Sequence, residues 1–272
     1  MSDNIRLGVI GGGVMAEAIV SRLIHQGLYP PKTILIGEPQ AKRRLFWQET
    51  YHINVTDNNH AVFESEEIVL LAIKPQVLDI VAAELVVQSV PQHRPLIISI
   101  LAGVALKRLE AVFPNFPVIR SMPNTPATVG SGMTAMTGGS LANEQHLNLA
   151  ESIFAAIGEV VTLPETLMDS VTSLSGSGPA YVALMIEAMA DGGVAVGLPR
   201  AIAAQLAIQT VLGTAQLLKD SGLHPAQLKD RVTSPGGTTI AAIAQLEKSG
   251  FRTALLEAVK AAYQRAQELG AS

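Results

Sequence analysis

The chain has 272 residues, of which 48% are hydrophobic and 15% are charged, and its formal net charge is -4. This composition argues against disorder and suits one large domain or two modest ones. The sequence contains no cysteine, which excludes thiol catalysis, disulfides and cysteine-based zinc sites. The acidic balance argues against nucleic acid or an anionic membrane as the main partner.

A cytoplasmic location is expected from the same features. The apolar run after Arg6 is rich in glycine, so we interpret it as a strand and a turn rather than a signal peptide. The longest uncharged apolar stretch is taken to be Leu96–Leu106, which is too short to span a bilayer. The six histidines show no metal-binding spacing, so no metal is expected.

The first half of the chain alternates strand and helix signals. Continuous apolar strands fit a parallel sheet that is covered on both faces. The alternation predicts an α/β fold with a Rossmann-like, doubly wound and mostly parallel sheet in residues 1–163. The predicted strands are Ile5–Ile10, Thr33–Ile36, Ile68–Ile73, Leu96–Ile100 and Val118–Arg120, and the helices include Met15–His25 and Gln40–Thr50.

The predicted strands stop after about Pro164, and an all-helical domain is expected in residues 164–272. Pro179 suits a helix start, and Gly197 and Gly222 suit helix ends. The predicted helices are Leu167–Leu174, Pro179–Val196, Arg200–Asp220, Ala226–Arg231, Thr238–Lys248 and Ala254–Leu269.

Two of these helical segments, Pro179–Val196 and Ala201–Leu212, are apolar on nearly every side. A helix of this kind must be buried, and a small domain has little room to bury two of them by itself. An intertwined homodimer would bury both segments. A compact monomeric bundle is the alternative.

The first strand runs into a glycine turn, Gly11-Gly12-Gly13-Val14-Met15-Ala16, which matches the pattern G-x-G-x-x-A. In this pattern the first glycine permits the tight turn, the second lets the backbone approach a pyrophosphate, and the small residue packs the helix against the strand. The helix start offers N–H groups to the phosphates. The turn therefore predicts a dinucleotide site, with a turn that binds nothing as the alternative.

The segment after the second strand carries signals for both nicotinamide cofactors. Glu38 could accept a hydrogen bond from the ribose 2′-OH, which favours NAD. The basic run Lys42, Arg43 and Arg44 could pair with a 2′-phosphate or could cover a solvated helix face. The choice between NADPH and NADH stays open at this point.

Two further strand ends could line the cofactor crevice, since ligands bind at the carboxyl ends of parallel strands. Ala72, Lys74 and Pro75 follow one strand, where the proline could equally just terminate it. The loop MPNTPA, Met122–Ala127, follows another, and Asn124 supplies both a donor and an acceptor. This loop could position a nicotinamide ring or could be an ordinary turn.

A second glycine turn opens a helix in TSPGGTTIAAIAQLE, Thr233–Glu247. In order, the motifs GVIGGGVMAEAI, AIKP, MPNTPA, LSGSGPAYV and RVTSPGGTTIAAIAQLE resemble the pyrroline-5-carboxylate reductase family. The resemblance spans nearly the whole chain, and its last motif is the most specific. It implies a nicotinamide-binding domain and a helical domain that interleaves into a dimer, often assembled further into a decamer. It also implies hydride transfer from NADPH or NADH to the C5 imine carbon of 1-pyrroline-5-carboxylate, which gives L-proline.

The resemblance implies site residues by motif. Together with Glu38, the expected cofactor-binding residues are Gly11, Gly13, Val14, Met15, Ala16, Asn59, Ala72, Lys74, Pro75, Met122, Asn124 and Pro126. The expected substrate-binding residues are Ser234, Gly236, Gly237, Thr238 and Thr239, with Gly176, Ser177 and Pro179 approaching across the dimer. Many family members have asparagine at the position of Val14, so one side-chain hydrogen-bonding group is missing near the phosphates while the backbone N–H groups remain.

The two glycine turns thus have separate expected ligands. The first is expected to bind the cofactor pyrophosphate, and the second the substrate carboxylate, which a helix start favours. The Thr239 hydroxyl is the candidate catalytic group at the ring nitrogen. Because a protonated imine is already electrophilic, orientation of the substrate would supply much of the rate.

Three alternative functions share some of these sequence features. A β-hydroxyacid dehydrogenase needs a catalytic lysine early in its second domain, and Leu167–Asp191 contains none. A nucleotide-sensing protein without catalysis, and a reductase of another cyclic imine, both stay open.

Overall fold

The computed structural model describes residues 4–86 and 94–271. The chain divides into two compact units. The first runs to Gly176 and includes the residues from Tyr263 onward, and the second is Ser177–Ala262. This division lies after the expected domain boundary between residues 163 and 164, and that boundary stays a prediction.

The first unit is built on an eight-stranded sheet with the order β3-β2-β1-β4-β5-β6-β7-β8. Neighbouring strands pair in parallel except for β6 and β7, which are antiparallel. This confirms the Rossmann-like, mostly parallel sheet. The strands are β1 Leu7–Ile10, β2 Ile34–Gly37, β3 Asn54–Thr56, β4 Ile68–Leu71, β5 Leu96–Ser99, β6 Val118–Met122, β7 Gly132–Gly138 and β8 Gly158–Thr162.

Helices cover both faces of this sheet. In β4, Ile68 and Leu70 belong to one apolar core, while Val69 and Leu71 belong to the other. This alternation is what a strand buried on both faces requires. The helices of the first unit are α1 Val14–His25, α2 Ala41–Tyr51, α3 Asn59–Phe63, α4 Leu78–Val86, α5 Leu106–Val112, α6 Glu144–Ala155 and α7 Met168–Val171.

The five predicted strands correspond to β1, β2, β4, β5 and β6. The other three strands were not predicted, because they are short and polar or begin with glycine. The prediction of a single helix at Leu167–Leu174 was wrong. That segment forms a 3-10 turn at Glu165–Leu167, the short helix α7, and a π-helix at Thr172–Gly176.

The second unit contains helices α8 Gly178–Ala195, α9 Arg200–Ser221, α10 Pro225–Arg231 and α11 Thr238–Lys248, and helix α12 Phe251–Ala271 continues from it into the first unit. Helix α9 ends at Gly222 in the left-handed conformation, as predicted. Pro179 is the second helical residue of α8 rather than the first.

Helices α8 and α9 pack together through small residues, with Ala190, Ala203 and Ala207 buried between them. Most of their larger apolar side chains remain exposed within one chain, among them Val182, Leu184, Met189, Ile202, Leu206, Ile208 and Leu212. By length and composition alone α9 could cross a membrane. The expectation that Leu96–Leu106 is the longest uncharged apolar stretch was therefore wrong, because α9 carries a longer one.

Candidate functional site

The first glycine turn joins β1 to α1. Gly11 has a φ of +99°, and its N–H donates to the Gly37 carbonyl at 2.8 Å. A Cβ at Gly11 would lie 2.6 Å from the backbone oxygen of Ala72, so the position requires glycine. A Cβ at Gly13 would meet nothing within 4 Å. The two glycines therefore do different work: Gly11 shapes the turn, and Gly13 leaves open space beside the backbone.

The start of α1 offers unpaired hydrogen-bond donors. In the part of the chain that the structure describes, the N–H groups of Gly13, Val14 and Met15 have no acceptor. Val14 is 72% exposed, while Ala16 is buried and lets the helix pack closely. Free N–H groups at a helix start, next to open space, are the arrangement that binds phosphate. The turn thus fits the pyrophosphate of a dinucleotide.

Side chains from the next β-α unit hold this turn in place. The N–H of Gly12 donates to Glu38 Oε2 at 3.0 Å, and Glu38 Oε1 accepts from the Gln40 N–H at 2.9 Å. The Gly12 carbonyl accepts from Arg43 Nε at 2.6 Å and from Trp47 Nε1 at 3.2 Å. Sequence reasoning missed Trp47 altogether, although it is the one tryptophan of the chain and stands on the helix that follows the cofactor-selecting segment.

Arg43 is itself fixed by Glu17, in the first turn of α1, with which it forms an ion pair. The Tyr51 hydroxyl donates to the same carboxylate at 3.1 Å. Burial, and then the charge of Glu17, raise the pKa of Tyr51, so its hydroxyl stays protonated and remains a donor at neutral pH. We call the side chains that hold the first glycine turn the brace: Glu38, Arg43 and Trp47, with Glu17 and Tyr51 behind Arg43. The brace is therefore a network rather than a single bond.

The basic run of α2 has two kinds of member. Arg43 belongs to the brace, and Arg44 donates to the carbonyls of Glu38 and Pro39 at 2.8 Å. Lys42 is exposed and has no hydrogen bond or ion pair to any described residue. The interpretation of this run as a merely solvated face is therefore wrong for the two arginines, and Lys42 is the cation left available.

Asn59 begins α3 beside the end of β2. Its Oδ1 lies 2.9 Å from the position that a Cβ on Gly37 would occupy, and its Nδ2 donates to Glu84 at 2.7 Å. Asn59 is therefore held next to the residue that precedes Glu38. An adenosine ribose is expected at the carboxyl ends of these strands. The strand order reverses at β1, which has β2 on one side and β4 on the other, and ligands bind at such a point.

Ala72, Lys74 and Pro75 follow β4 at the same edge of the sheet. The N–H of Ala72 donates to the Ile10 carbonyl at 2.9 Å, which brings this segment against the first glycine turn. Lys74 is exposed and precedes a 3-10 turn at Pro75–Val77. The structure thus brings the predicted AIKP residues and the glycine turn together.

The MPNTPA loop follows β6, and its asparagine is bonded within the protein. Asn124 Oδ1 accepts from the Met133 N–H at 2.8 Å, and Nδ2 donates to the Ser175 carbonyl at 3.0 Å. The Met122 methyl lies 3.0 Å from where a Cβ on Gly176 would be. The loop, which includes Pro126 in the 3-10 turn Thr125–Val129, is therefore joined to the π-helix. A π-helix of this kind is often found at a functional site.

A buried arginine anchors the strand that leads into this loop. Arg120 is 7% exposed, and its guanidinium lies 2.9 Å from Glu165 and 3.9 Å from Asp169. Glu165 also accepts from the Leu106 N–H at 2.6 Å. Sequence reasoning missed this cluster. The available signal was a lone charged residue that ends the predicted strand Val118–Arg120, after two apolar residues.

The second glycine turn lies in the second unit. The Gly237 N–H donates to the Ser234 carbonyl at 3.1 Å, and Gly236 has a φ of +67°. Proline followed by a residue at positive φ fits a type II turn. A Cβ at Gly237 would lie 2.3 Å from Ser234 Oγ and 3.2 Å from the Ser234 carbonyl oxygen, so Ser234 would have to shift, whereas Gly236 favours glycine because its φ is positive.

This turn presents several free donors at the start of α11. In the described ranges, the hydroxyls of Ser234, Thr238 and Thr239 make no hydrogen bond, whereas the neighbouring Thr233 hydroxyl donates to the Lys229 carbonyl. Gly237 is the residue before the helix, and no side chain caps it. Helix N–H groups and hydroxyls together suit a carboxylate. Ser177 and Pro179, which are expected to approach the substrate across the dimer, lie at the start of α8 in the same unit.

Comparisons with known proteins agree with these features. Residues 165–269 match the family model described as pyrroline-5-carboxylate reductase dimerisation, and residues 6–103 match NADP oxidoreductase coenzyme F420-dependent. A pyrroline-5-carboxylate reductase of Synechocystis sp. is 59% identical, covering 98% of this chain and 99% of that protein. The enzyme of Pisum sativum is 44% identical, covering 99% and 97%.

Solved structures show the same relationship. The pyrroline-5-carboxylate reductase of Coxiella burnetii superposes with a TM-score of 0.89 at 35% identity, covering 99% of both chains. The pyrroline carboxylate reductase of Plasmodium falciparum, with NADP bound, gives a TM-score of 0.86 at 30% identity and covers 99% of this chain and 100% of that one. The resemblance that the motifs carried is confirmed, and the chain belongs to the pyrroline-5-carboxylate reductase family.

Proposed function

We propose that this protein reduces the C=N bond of 1-pyrroline-5-carboxylate to L-proline, the last step of proline biosynthesis, with NADPH or NADH. One observation carries the proposal: a chain of this family holds two glycine turns with free donors, one at the sheet edge and one at the start of α11. Two anionic groups, the cofactor pyrophosphate and the substrate carboxylate, match these two turns.

The nicotinamide cofactor, when bound, supplies the hydride. The N–H groups of Gly13, Val14 and Met15 hold its pyrophosphate, on the turn shaped by Gly11 and packed through Ala16. Asn59 lies toward the adenosine ribose, because it is held at the end of β2. The remaining expected contacts, toward the ribose and the nicotinamide ring, are Ala72, Lys74, Pro75, Met122, Asn124 and Pro126.

The second turn holds the substrate carboxylate through Ser234, Gly236, Gly237 and Thr238. The Thr239 hydroxyl, which is free in the described part of the chain, hydrogen-bonds the ring nitrogen and stabilises or delivers a proton as the amine forms. These residues act mainly by fixing the orientation of the imine. Gly176, Ser177 and Pro179 approach the substrate across the dimer.

The assembly that supports this site is a homodimer formed through the helical domain, residues 164–272, while residues 1–163 form the dinucleotide-binding domain. The exposed apolar side chains of α8 and α9 support it, because the dimerisation match spans both helices. We assign the uncharged surface of α9 to a second copy of the chain rather than to a membrane. A decamer, a cytoplasmic location and the absence of a nucleic-acid partner complete the proposal.

Steady-state assays with purified protein test the reaction. The nicotinamide absorbance is followed with 1-pyrroline-5-carboxylate and either NADPH or NADH, and the product is identified by amino-acid analysis. We expect rapid cofactor oxidation with L-proline as the product. The matched control is 1-pyrroline, which lacks the carboxylate and should react far more slowly. Cofactor binding without turnover on either imine would support a nucleotide sensor instead, and equal rates on both would remove the carboxylate from the second turn.

A further inference from the structure

Glu38 occupies the position at which many dinucleotide-binding sheets place the acceptor for the ribose 2′-OH. In this chain its side chain binds backbone N–H groups of the protein instead. Glu38 is 8% exposed, and each of its carboxylate oxygens accepts a backbone N–H, from Gly12 at 3.0 Å and from Gln40 at 2.9 Å. The carboxylate is therefore turned toward the glycine turn and the start of α2.

The same turn is held from its other side. The Gly12 carbonyl accepts from the side chains of Arg43 and Trp47, so both backbone polar groups of Gly12 are bonded to residues after β2. The backbone of Glu38 is fixed as well, because its N–H donates to the Thr56 carbonyl and its carbonyl accepts from Arg44. The position of the carboxylate is thus set by the sheet and by α2 together.

From these contacts we infer that Glu38 is a positioning residue for the phosphate-binding turn and does not discriminate between NADPH and NADH. A hydrogen bond to an ionised carboxylate is strong, and a buried N–H that loses its acceptor is costly. Rotation of Glu38 toward a ribose would leave the Gly12 N–H unpaired. The residue therefore prepares the turn for either cofactor. This inference rests on the proposed function only in that a nicotinamide dinucleotide binds at the turn.

The substitution Glu38→Gln tests the inference, because an amide can accept an N–H at only one of its two ends. One of the bonds to Gly12 and Gln40 must be lost while the shape is kept. We expect the dissociation constants of NADPH and NADH to rise together, by roughly tenfold, with their ratio unchanged. Equilibrium titration of nicotinamide fluorescence measures both constants without turnover. The melting temperature of the cofactor-free protein should also fall.

The matched control is Glu49→Gln. Glu49 lies on α2, is exposed, and has no hydrogen bond to any residue the structure describes, so its replacement should change neither the dissociation constants nor the melting temperature. Amide exchange in the wild-type protein gives an independent measurement. The Gly12 N–H should be protected from exchange before any cofactor is added, since Glu38 already accepts it.

Three outcomes would overturn the inference. Weaker binding of NADH alone would make Glu38 a ribose-recognising residue. Unchanged constants for both cofactors, or fast exchange at Gly12 in the free protein, would show that the brace does not hold the turn. If the wild-type protein bound neither cofactor, the proposed function itself would fail, which is a different result from any change in Glu38→Gln.

Discussion

The two glycine turns use similar residues but are stabilised differently. The turn at Gly11–Gly13 is held by side chains far along the chain, from Glu38, Arg43 and Trp47. The turn at Ser234–Gly237 is closed by its own backbone hydrogen bond. Around the first turn the side chains are paired. Around the second, the hydroxyls in the described chain are free.

This difference indicates which turn is complete before its ligand arrives. A turn braced by several distant groups keeps its shape in the free protein, and only its outward N–H groups await an anion. A turn with unpaired hydroxyls gains its hydrogen bonds when the ligand binds. Changes that disturb the shape of the first turn should therefore affect both folding and cofactor binding, whereas changes to the hydroxyls of the second should affect the reaction and leave the fold intact.

The largest expected effect is that of Gly11→Ala, which breaks the first turn. The new methyl group would clash with the Ala72 carbonyl at a positive φ, at a cost of about 3 kcal/mol. Cofactor affinity should fall roughly a hundredfold, and the free protein should melt at a lower temperature. Gly13→Ala is the paired variant. Its Cβ meets nothing in the free protein, so it should weaken cofactor binding without lowering the melting temperature. Equal melting losses would contradict this division of roles.

Thr239→Val removes the hydroxyl from the second turn while keeping the shape of the side chain. Catalytic efficiency with 1-pyrroline-5-carboxylate should fall roughly tenfold to a hundredfold, because the hydroxyl at the ring nitrogen is gone. The dissociation constant of the cofactor should not change. Thr239→Ser restores a hydroxyl and should recover much of the activity. If the valine variant kept full efficiency, Thr239 would have no place in the substrate site.

Asn124→Ala tests whether side-chain hydrogen bonds hold the loop after β6, as they hold the first turn. Its loss leaves the Met133 N–H and the Ser175 carbonyl without their partner, and the free energy of unfolding should decrease by about 1–3 kcal/mol. Asn124→Asp keeps the acceptor for Met133 but turns a carboxylate oxygen toward the Ser175 carbonyl, and because both atoms only accept it should also lower the stability. Denaturant titration compares the two variants, and an unchanged midpoint for the alanine variant would show that the loop does not need this link.

The smallest expected effect comes from Lys42→Ala, which sharpens the account of cofactor choice. Lys42 is the member of the basic run left without a partner in the described chain, so it is available to a 2′-phosphate. Its loss should raise the dissociation constant of NADPH roughly threefold, as expected of an exposed ion pair, and leave that of NADH unchanged. Lys32→Ala, an exposed lysine that precedes β2, is the control. The same loss for both cofactors would remove Lys42 from this role.

Sequence patterns were sufficient for the features that are local in the chain. Five apolar strands, the starts of most of the predicted helices and both glycine turns each lie within a few residues, and these were found. Glu38 shows the limit of this reasoning. Its position in the sequence allowed a ribose contact without deciding it, and only the fold shows that its carboxylate is bonded to Gly12. The pairing of Arg120 with Glu165 is hidden in the same way, because it joins residues from separate elements.

Strand β7 shows a different limit. Gly132–Gly138 begins and ends with glycine, which is depleted in strands, and contains no Val, Ile or Leu, so the signal for a strand is weak. It forms because β6 and β8 offer it backbone partners on both sides. Asn124 likewise seemed available to a ligand, because its two bonding partners come from β7 and the π-helix.

The exposed apolar faces of α8 and α9 have a consequence for how the protein behaves when diluted. If a second copy covers these faces, the folded chain is stabilised by association, and mass action links its stability to its concentration. The melting temperature should then rise with protein concentration. Newly made chains would be most prone to aggregate in the interval before they meet a partner, so the rate of synthesis would influence how much of the protein survives.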